Sequence, residues 1–465
     1  MNQALPQNKS VKTYWLGVVS IAIATTLGIS IYTFLNSQLT KVPAPYGYPF
    51  AVSIPGGGNR QATLQKEITF YQGKVRQSPD SGLPLASLAQ AYLKMAKATG
   101  DNNWYLFAEQ SAQRSLGNLP FNNSGATIVL ARVAQARHEF TTAIRLAQQV
   151  LQEQPRNDSA LAILVTSNLA MGNLSQAKIA ADTLVNTIPT QGHFTLQALV
   201  LAAQGQEKAA NDAFKYALAA EEPGDISNSA STRIFLGQFY YKHGKLTLAE
   251  QLYQEALRIS PGNQLAMLYL AELKTRKGDY QGAGRLYAQI LPDSEQSSVY
   301  DYAVFRGQAK LQKLQGNTQA ASQILDKAET RLRQENATAN GNASFGHRRD
   351  LARLLLEKNT PTATAEALFL MQTEINIRRD AQTWDTLAWA FLRSGEVKKA
   401  QSAIQQALKM GTRDSGIFYR GAMIEQALGN QSQATTYQKL AQEVDPTFDE
   451  QARRTSDMGL DSLGF

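Results

Sequence analysis

Cysteine is absent from the 465 residues. This excludes a disulfide framework, thiolate zinc sites, thiol catalysis and acylation of a lipoprotein-type cysteine. It leaves the compartment open, because cysteine-free chains occur on both sides of a membrane. Acidic residues are absent before Glu67, whereas Lys9, Lys12, Lys41, Arg60 and Lys66 all precede it. Of the formal net charge of +8, the remainder of the chain holds only +3. The basic excess therefore belongs to the N-terminal end, and no nucleic-acid partner is expected. Histidine is scarce: His138, His193, His243 and His347 fall in different segments with no metal-ligand spacing, and HExxH does not occur. There is no Gly-x-Ser-x-Gly elbow and no GxxxxGK[ST] phosphate loop. Gly56-Gly57-Gly58 lacks the lysine and helix pattern of a phosphate cradle, and Glu221-Glu222 stands beside turn residues and reads as solvated. The expectation is a non-enzyme with no catalytic residues, no cofactor, no metal and no small-molecule substrate.

One long apolar run is present. Residues 1–13 are polar and carry two lysines, and Tyr14 to Leu35 is then a 22-residue stretch without charge. At 1.5 Å per residue it would span roughly 33 Å, enough to cross a bilayer as one helix. Tyr14, Trp15 and Tyr32 lie near its ends, where aromatic rings favour the interface. A cleaved signal peptide is the competing reading, but the nearest cleavage candidate, Val42-Pro43-Ala44, is followed by Pro45 and is poor. Lys9 and Lys12 before the span, against Lys41 after it, favour a cytoplasmic N-terminus (1–13), a transmembrane helix (14–35) and an exported body, as in a bacterial envelope. Residues 36–60 include a Pro/Gly-rich linker that no regular element tolerates, and its Tyr, Phe and Ile content suggests packing on the first unit of the body.

The body is periodic. From Arg233 to Pro261, Leu236, Tyr240 and Gly244, then Ala249, Tyr253 and Ala256, recur at intervals of three and four, so they form two helical stripes. Gly237 and Ala249 are small where two helix axes would approach. Gly244 supplies the turn, Thr247-Leu248-Ala249-Glu250 has the form of a capping box, and Pro261 ends the unit. Pro155, Pro189 and Pro223 follow one another at intervals of 34. Such a helix pair has one apolar side and buries it only by stacking on neighbours.

This pattern resembles the tetratricopeptide repeat (TPR), a 34-residue helix–turn–helix of the form W-x2-L-G-x2-Y, then Gly, then Ala, Phe and Ala, then Pro. The unit above matches it at Leu236, Gly237, Tyr240, Gly244, Ala249, Tyr253, Ala256 and Pro261, and departs at the tryptophan position, which is Arg233. A second unit supplies that residue as Trp384, with Leu387, Ala388, Gly395, Ala400, Ile404 and Ala407. The resemblance covers roughly residues 82 to 446. It implies an all-α, right-handed superhelical solenoid of about ten TPR-like helix pairs, preceded by the single transmembrane helix. The divisions expected are a TPR array over 61–330, a polar loop over 331–347, further repeats over 348–446, and a short helix and polar tail over 447–465.

The resemblance also implies a function. In this family the first helix of each pair lines a concave groove that receives peptides or helices of partner proteins. The corresponding positions here are Arg132, Gln135, Thr166, Gln238, Tyr241, Lys242, Glu272, Arg276, Trp389 and Arg393. The Lys/Asn set of the family's carboxylate-clamp variant is not found. A membrane-anchored scaffold or adaptor is therefore expected. A regulatory or assembly subunit of an envelope enzyme or secretion complex is the alternative.

Overall fold

A computed structural model describes residues 46–52, 60–291, 300–336 and 347–455. The span expected at 14–35 and the tail after 455 lie outside these residues. Among the described residues, no helix is long and apolar enough to cross a membrane.

The described residues from Tyr48 onward form one compact unit, an all-α stack of antiparallel helix pairs. A leading helix, α1 (Arg60–Gln77), is followed by α2 (Gly82–Thr99) with α3 (Asn103–Asn118), α4 (Ser124–Ala136) with α5 (Phe140–Glu153), and α6 (Asp158–Ala170) with α7 (Leu174–Thr187). Next come α8 (Gln191–Ala203) with α9 (Glu207–Ala219), α10 (Ile226–Lys242) with α11 (Leu246–Ile259), and α12 (Gln264–Arg276) with α13 (Tyr280–Ile290). The later pairs are α14 (Asp301–Leu314) with α15 (Thr318–Asn336), α16 (Arg348–Lys358) with α17 (Pro361–Glu374), α18 (Ala381–Arg393) with α19 (Val397–Lys409), and α20 (Ser415–Ala427) with α21 (Gln431–Val444). A short α22 (Glu450–Thr455) follows.

Helix starts are satisfied in more than one way. Several first helices are capped by a side chain. Asn157, Asp225, Asn263, Asp380 and Asp414 each accept a backbone N–H from the first turn, which satisfies one of the orphan donors there. The second helix of the Arg233–Pro261 unit uses backbone instead. Gly244 turns at φ +69°, and the Lys245 N–H donates to the Tyr240 carbonyl at 2.9 Å. Helix α11 consequently starts at Leu246 with Lys245 as its N-cap, so Thr247 already lies inside it and the expected capping box is not formed. The stripes themselves are buried: Leu236, Ala249, Tyr253 and Ala256 have no exposed surface. At Gly237 an added Cβ would stand 2.5 Å from the Tyr253 ring, so this close approach admits only glycine without rearrangement.

Arg233 explains the departure from tryptophan. Its side chain is fully buried and forms a two-pronged ion pair with Glu221, which is therefore not the solvated carboxylate expected from its place beside a turn. Tyr48 covers the pair, with its ring centroid 5.7 Å from the guanidinium, its N–H donating to Glu255 at 2.7 Å and its hydroxyl donating to the Glu222 carbonyl at 3.4 Å. Tyr48 of the linker thus packs on the α10–α11 pair, far from the first unit on which the linker was expected. The polar stretch 331–347 also differs, because α15 continues to Asn336. Buried Leu332 and the Arg333–Glu366 pair hold that turn against its neighbours. Residues 337–346 lie outside the described residues.

The array also turns back on itself. The Arg379 N–H donates to the Ala170 carbonyl at 2.9 Å, and the Thr412 hydroxyl donates to the Ala203 carbonyl at 2.7 Å. Arg276 pairs with Asp445 at 2.5 Å, and the Gln451 amide donates to the Thr275 carbonyl at 3.0 Å. Loops of the later pairs are therefore seated on the turns of the earlier ones. Two turn glycines make room for them: a Cβ on Gly172 would stand 2.6 Å from the Arg379 carbonyl oxygen, and one on Gly205 would stand 2.1 Å from that of Gly411.

Candidate functional site

First helices bring their inward faces around a cavity of about 700 Å³. Arg132 and Gln135 on α4, Thr166 on α6, and Gln238 and Lys242 on α10 all line it. These five candidate positions come together because each lies on the face of a first helix turned away from its partner helix. A hydrogen-bonded row links three of them: Arg132 donates to Gln135 Oε1 at 3.0 Å, and the Gln135 amide donates to Thr166 Oγ1 at 2.7 Å. Lys242 stands 3.4 Å from Asp414, across the contact between early and late pairs.

The other five do not join that set. Tyr241 is buried, with the Arg276 guanidinium 5.1 Å from its ring centroid, and Arg276 is in turn held by Asp445. Glu272 is buried beside them. Trp389 is covered by Arg420 at 4.7 Å, and Arg420 pairs with Asp385 at 2.6 Å. Arg393 is exposed and donates to Asn359 at 2.9 Å. Register alone assigns Tyr241 and Trp389 to the groove because they flank the packing stripe. In the structure that flank carries buried cation–ring pairs between neighbouring repeats.

Several lining residues escape a reading of the sequence. His138, His243 and His347, dispersed along the chain, all reach the cavity wall. His243 Nε2 lies 3.1 Å from Glu207. His138 lies 3.6 Å from Glu374, and burial holds its imidazole below its ordinary value. Phe214, Phe235, Phe239 and Tyr269 form an apolar wall, and Lys97, Tyr105, Arg349, Arg378, Asp380 and Arg413 complete the polar lining. Burial alone would raise the Asp380 carboxyl, but Arg378 at 2.5 Å and Arg349 at 2.8 Å outweigh it and hold the group below its ordinary value. Among the described residues, no group of three or more His, Asp or Glu could hold a metal ion.

Stacked antiparallel pairs with this turn geometry define a helical-repeat solenoid. Residues 195–264 and 240–311 each match a family model described as tetratricopeptide repeat. Over these residues the chain carries tetratricopeptide repeats, and TPR repeat proteins are generally non-catalytic scaffolds for protein–protein interaction. No curated protein matches it. Among solved structures, the human IFIT1 dimer with m7Gppp-AAAA is 14% identical, with a TM-score of 0.45 over 82% of this chain and 86% of that one. A thermophilic TPR protein of Thermus thermophilus is 21% identical, with a TM-score of 0.34 over 37% of this chain and 91% of that one. The type IV pilus biogenesis factor PilW is 18% identical, with a TM-score of 0.38 over 45% and 93%. Likenesses at this level carry no information on partner or ligand.

Proposed function

We propose that the chain is a membrane-anchored scaffold whose inward-facing first helices receive a segment of a partner protein. The observation that carries this reading is the cavity, to which Arg132, Gln135, Thr166, Gln238 and Lys242 are contributed by three separate first helices. Side chains that serve only to stack repeats belong between helices, as Leu236 and Tyr253 do; these five instead line the cavity. The uncharged run 14–35 supports the anchor, and the lysines before it support a cytoplasmic N-terminus with the array on the exported side.

The test uses the full chain in membranes. It should resist extraction by carbonate or high salt, a C-terminal reporter should be active only outside the cytoplasm, and site-specific crosslinkers at Gln238 or Thr166 should trap a partner polypeptide. Extraction by either wash would remove the anchor, cytoplasmic reporter activity would reverse the orientation, and crosslinking confined to the chain itself would remove the scaffold reading. A single trapped enzyme would make the chain an assembly subunit, and several polypeptides sharing a short motif would make it an adaptor.

A further inference from the structure

The charges around the cavity do not balance. Six lysine and arginine side chains line it against three aspartates and glutamates. Each of the three acids is already engaged. Asp380 pairs with Arg349 and Arg378, Glu207 pairs with Arg413 at 2.8 Å, and Asp414 stands 3.4 Å from Lys242. The uncompensated charge is left on Lys97 of α2 and Arg132 of α4. Among the described residues, Lys97 has no hydrogen bond and no ion pair, and the hydrogen-bond acceptor that Arg132 meets is the neutral Gln135 amide.

Lys97 is exposed and lines the cavity. Burial and then the charge of Arg132 lower its ammonium to about 8, and burial lowers the Arg132 guanidinium to about 10. Two like charges on one cavity wall repel, and a bound anion removes that repulsion. Leu93 and Ala96 on α2, with Leu169 and Ala170 on α6, are apolar lining residues of the same cavity. The Tyr105 phenol, close enough to Arg132 to feel its charge, adds a polar group there.

We infer that the Lys97–Arg132 wall of the cavity is a binding site for a small amphipathic organic anion, one carboxylate, sulfonate or phosphate on an apolar body. The size fits: 700 Å³ lies inside the range of small-molecule pockets, about 300–1,000 Å³. A helix of 10–12 Å diameter would fill the same space in roughly one and a half turns. The site goes beyond the scaffold reading and does not depend on it.

The probe is 1-anilinonaphthalene-8-sulfonate, an aromatic body with one negative charge, titrated into the full chain in detergent. The uncharged N-phenyl-1-naphthylamine is the reference. One sulfonate probe per chain is expected, with its Kd raised at least tenfold in Lys97→Gln and in Arg132→Gln and restored in Lys97→Arg. The uncharged probe should bind all four proteins alike. Raising the pH from 7 to 9 should weaken the sulfonate in the natural chain, as Lys97 loses its proton, and leave the Lys97→Gln chain unmoved. Both glutamine variants keep their helices intact, which circular dichroism checks. The inference is overturned if the sulfonate binds Lys97→Gln as it binds the natural chain, if both probes weaken together, or if several sulfonates bind per chain without regard to the substitution. It is also overturned if inorganic phosphate or an acidic peptide displaces the probe at concentrations no higher than its own. None of these results bears on partner crosslinking at Gln238 or Thr166.

Discussion

Arg233 stands where the repeat pattern expects tryptophan, and its surroundings show how a charge is kept in that place. Glu221 meets it with both oxygens, the Ser229 carbonyl accepts from it at 3.0 Å, and Tyr48 shields it from water. Removing one partner leaves the other charge buried alone, whereas replacing both with apolar groups removes the desolvation cost as well. Arg233→Ala should therefore destabilise the array by about 3–5 kcal/mol, and Arg233→Leu with Glu221→Leu should return most of that loss. Chemical denaturation of the natural chain, of Arg233→Ala and of the double-leucine variant is the measurement. Asp380 makes a second residue-scale prediction. Its folded carboxyl is depressed, so its contribution to stability is complete above its ordinary value of 3.8 and is lost as pH falls below that. The unfolding midpoint should drop in this window, and the drop should be shallower in Asp380→Asn.

At the scale of elements, the glycine turns separate two effects that a sequence cannot distinguish. Gly205 and Gly316 both have positive φ, +71° and +86°. A Cβ on Gly316 meets open space, whereas one on Gly205 collides with the Gly411 carbonyl. Gly316→Ala should cost only the left-handed strain, about 1 kcal/mol. Gly205→Ala should cost more, about 1–3 kcal/mol beyond that, and should loosen the seat of the 411–413 loop. Thermal melting gives the first comparison and hydrogen exchange at Thr412 and Arg413 the second.

This is also where legibility ends. Gly205, Gly237 and Gly244 are visible in the sequence because turns and close helix approach are local demands. The partners of Gly172 and Gly205, Arg379 and Gly411, lie some two hundred residues away and leave no periodic trace. The site follows the same division. Arg132, Gln135, Thr166, Gln238 and Lys242 can be found from their register on first helices. His138 and Arg378 cannot, because their meeting on the wall depends on the array turning back. Tyr241 and Trp389 mislead because register locates the flank of a stripe and says nothing of whether a cation already covers it.

For the whole molecule, the seating of late loops on early turns changes how the chain becomes itself. Solenoids ordinarily depend on nearest neighbours and can fold from any point along their length. Here Ala170, Ala203 and Arg276 are bonded to Arg379, Thr412 and Asp445, and those bonds close very long loops. A chain emerging from the ribosome stacks its early pairs with that rim still bare, and the carbonyls of Ala170 and Ala203 wait in water for sequence not yet made. The cavity is thus completed only late in synthesis. Until synthesis reaches Asp414, neither a partner segment nor an anion has a finished place to bind.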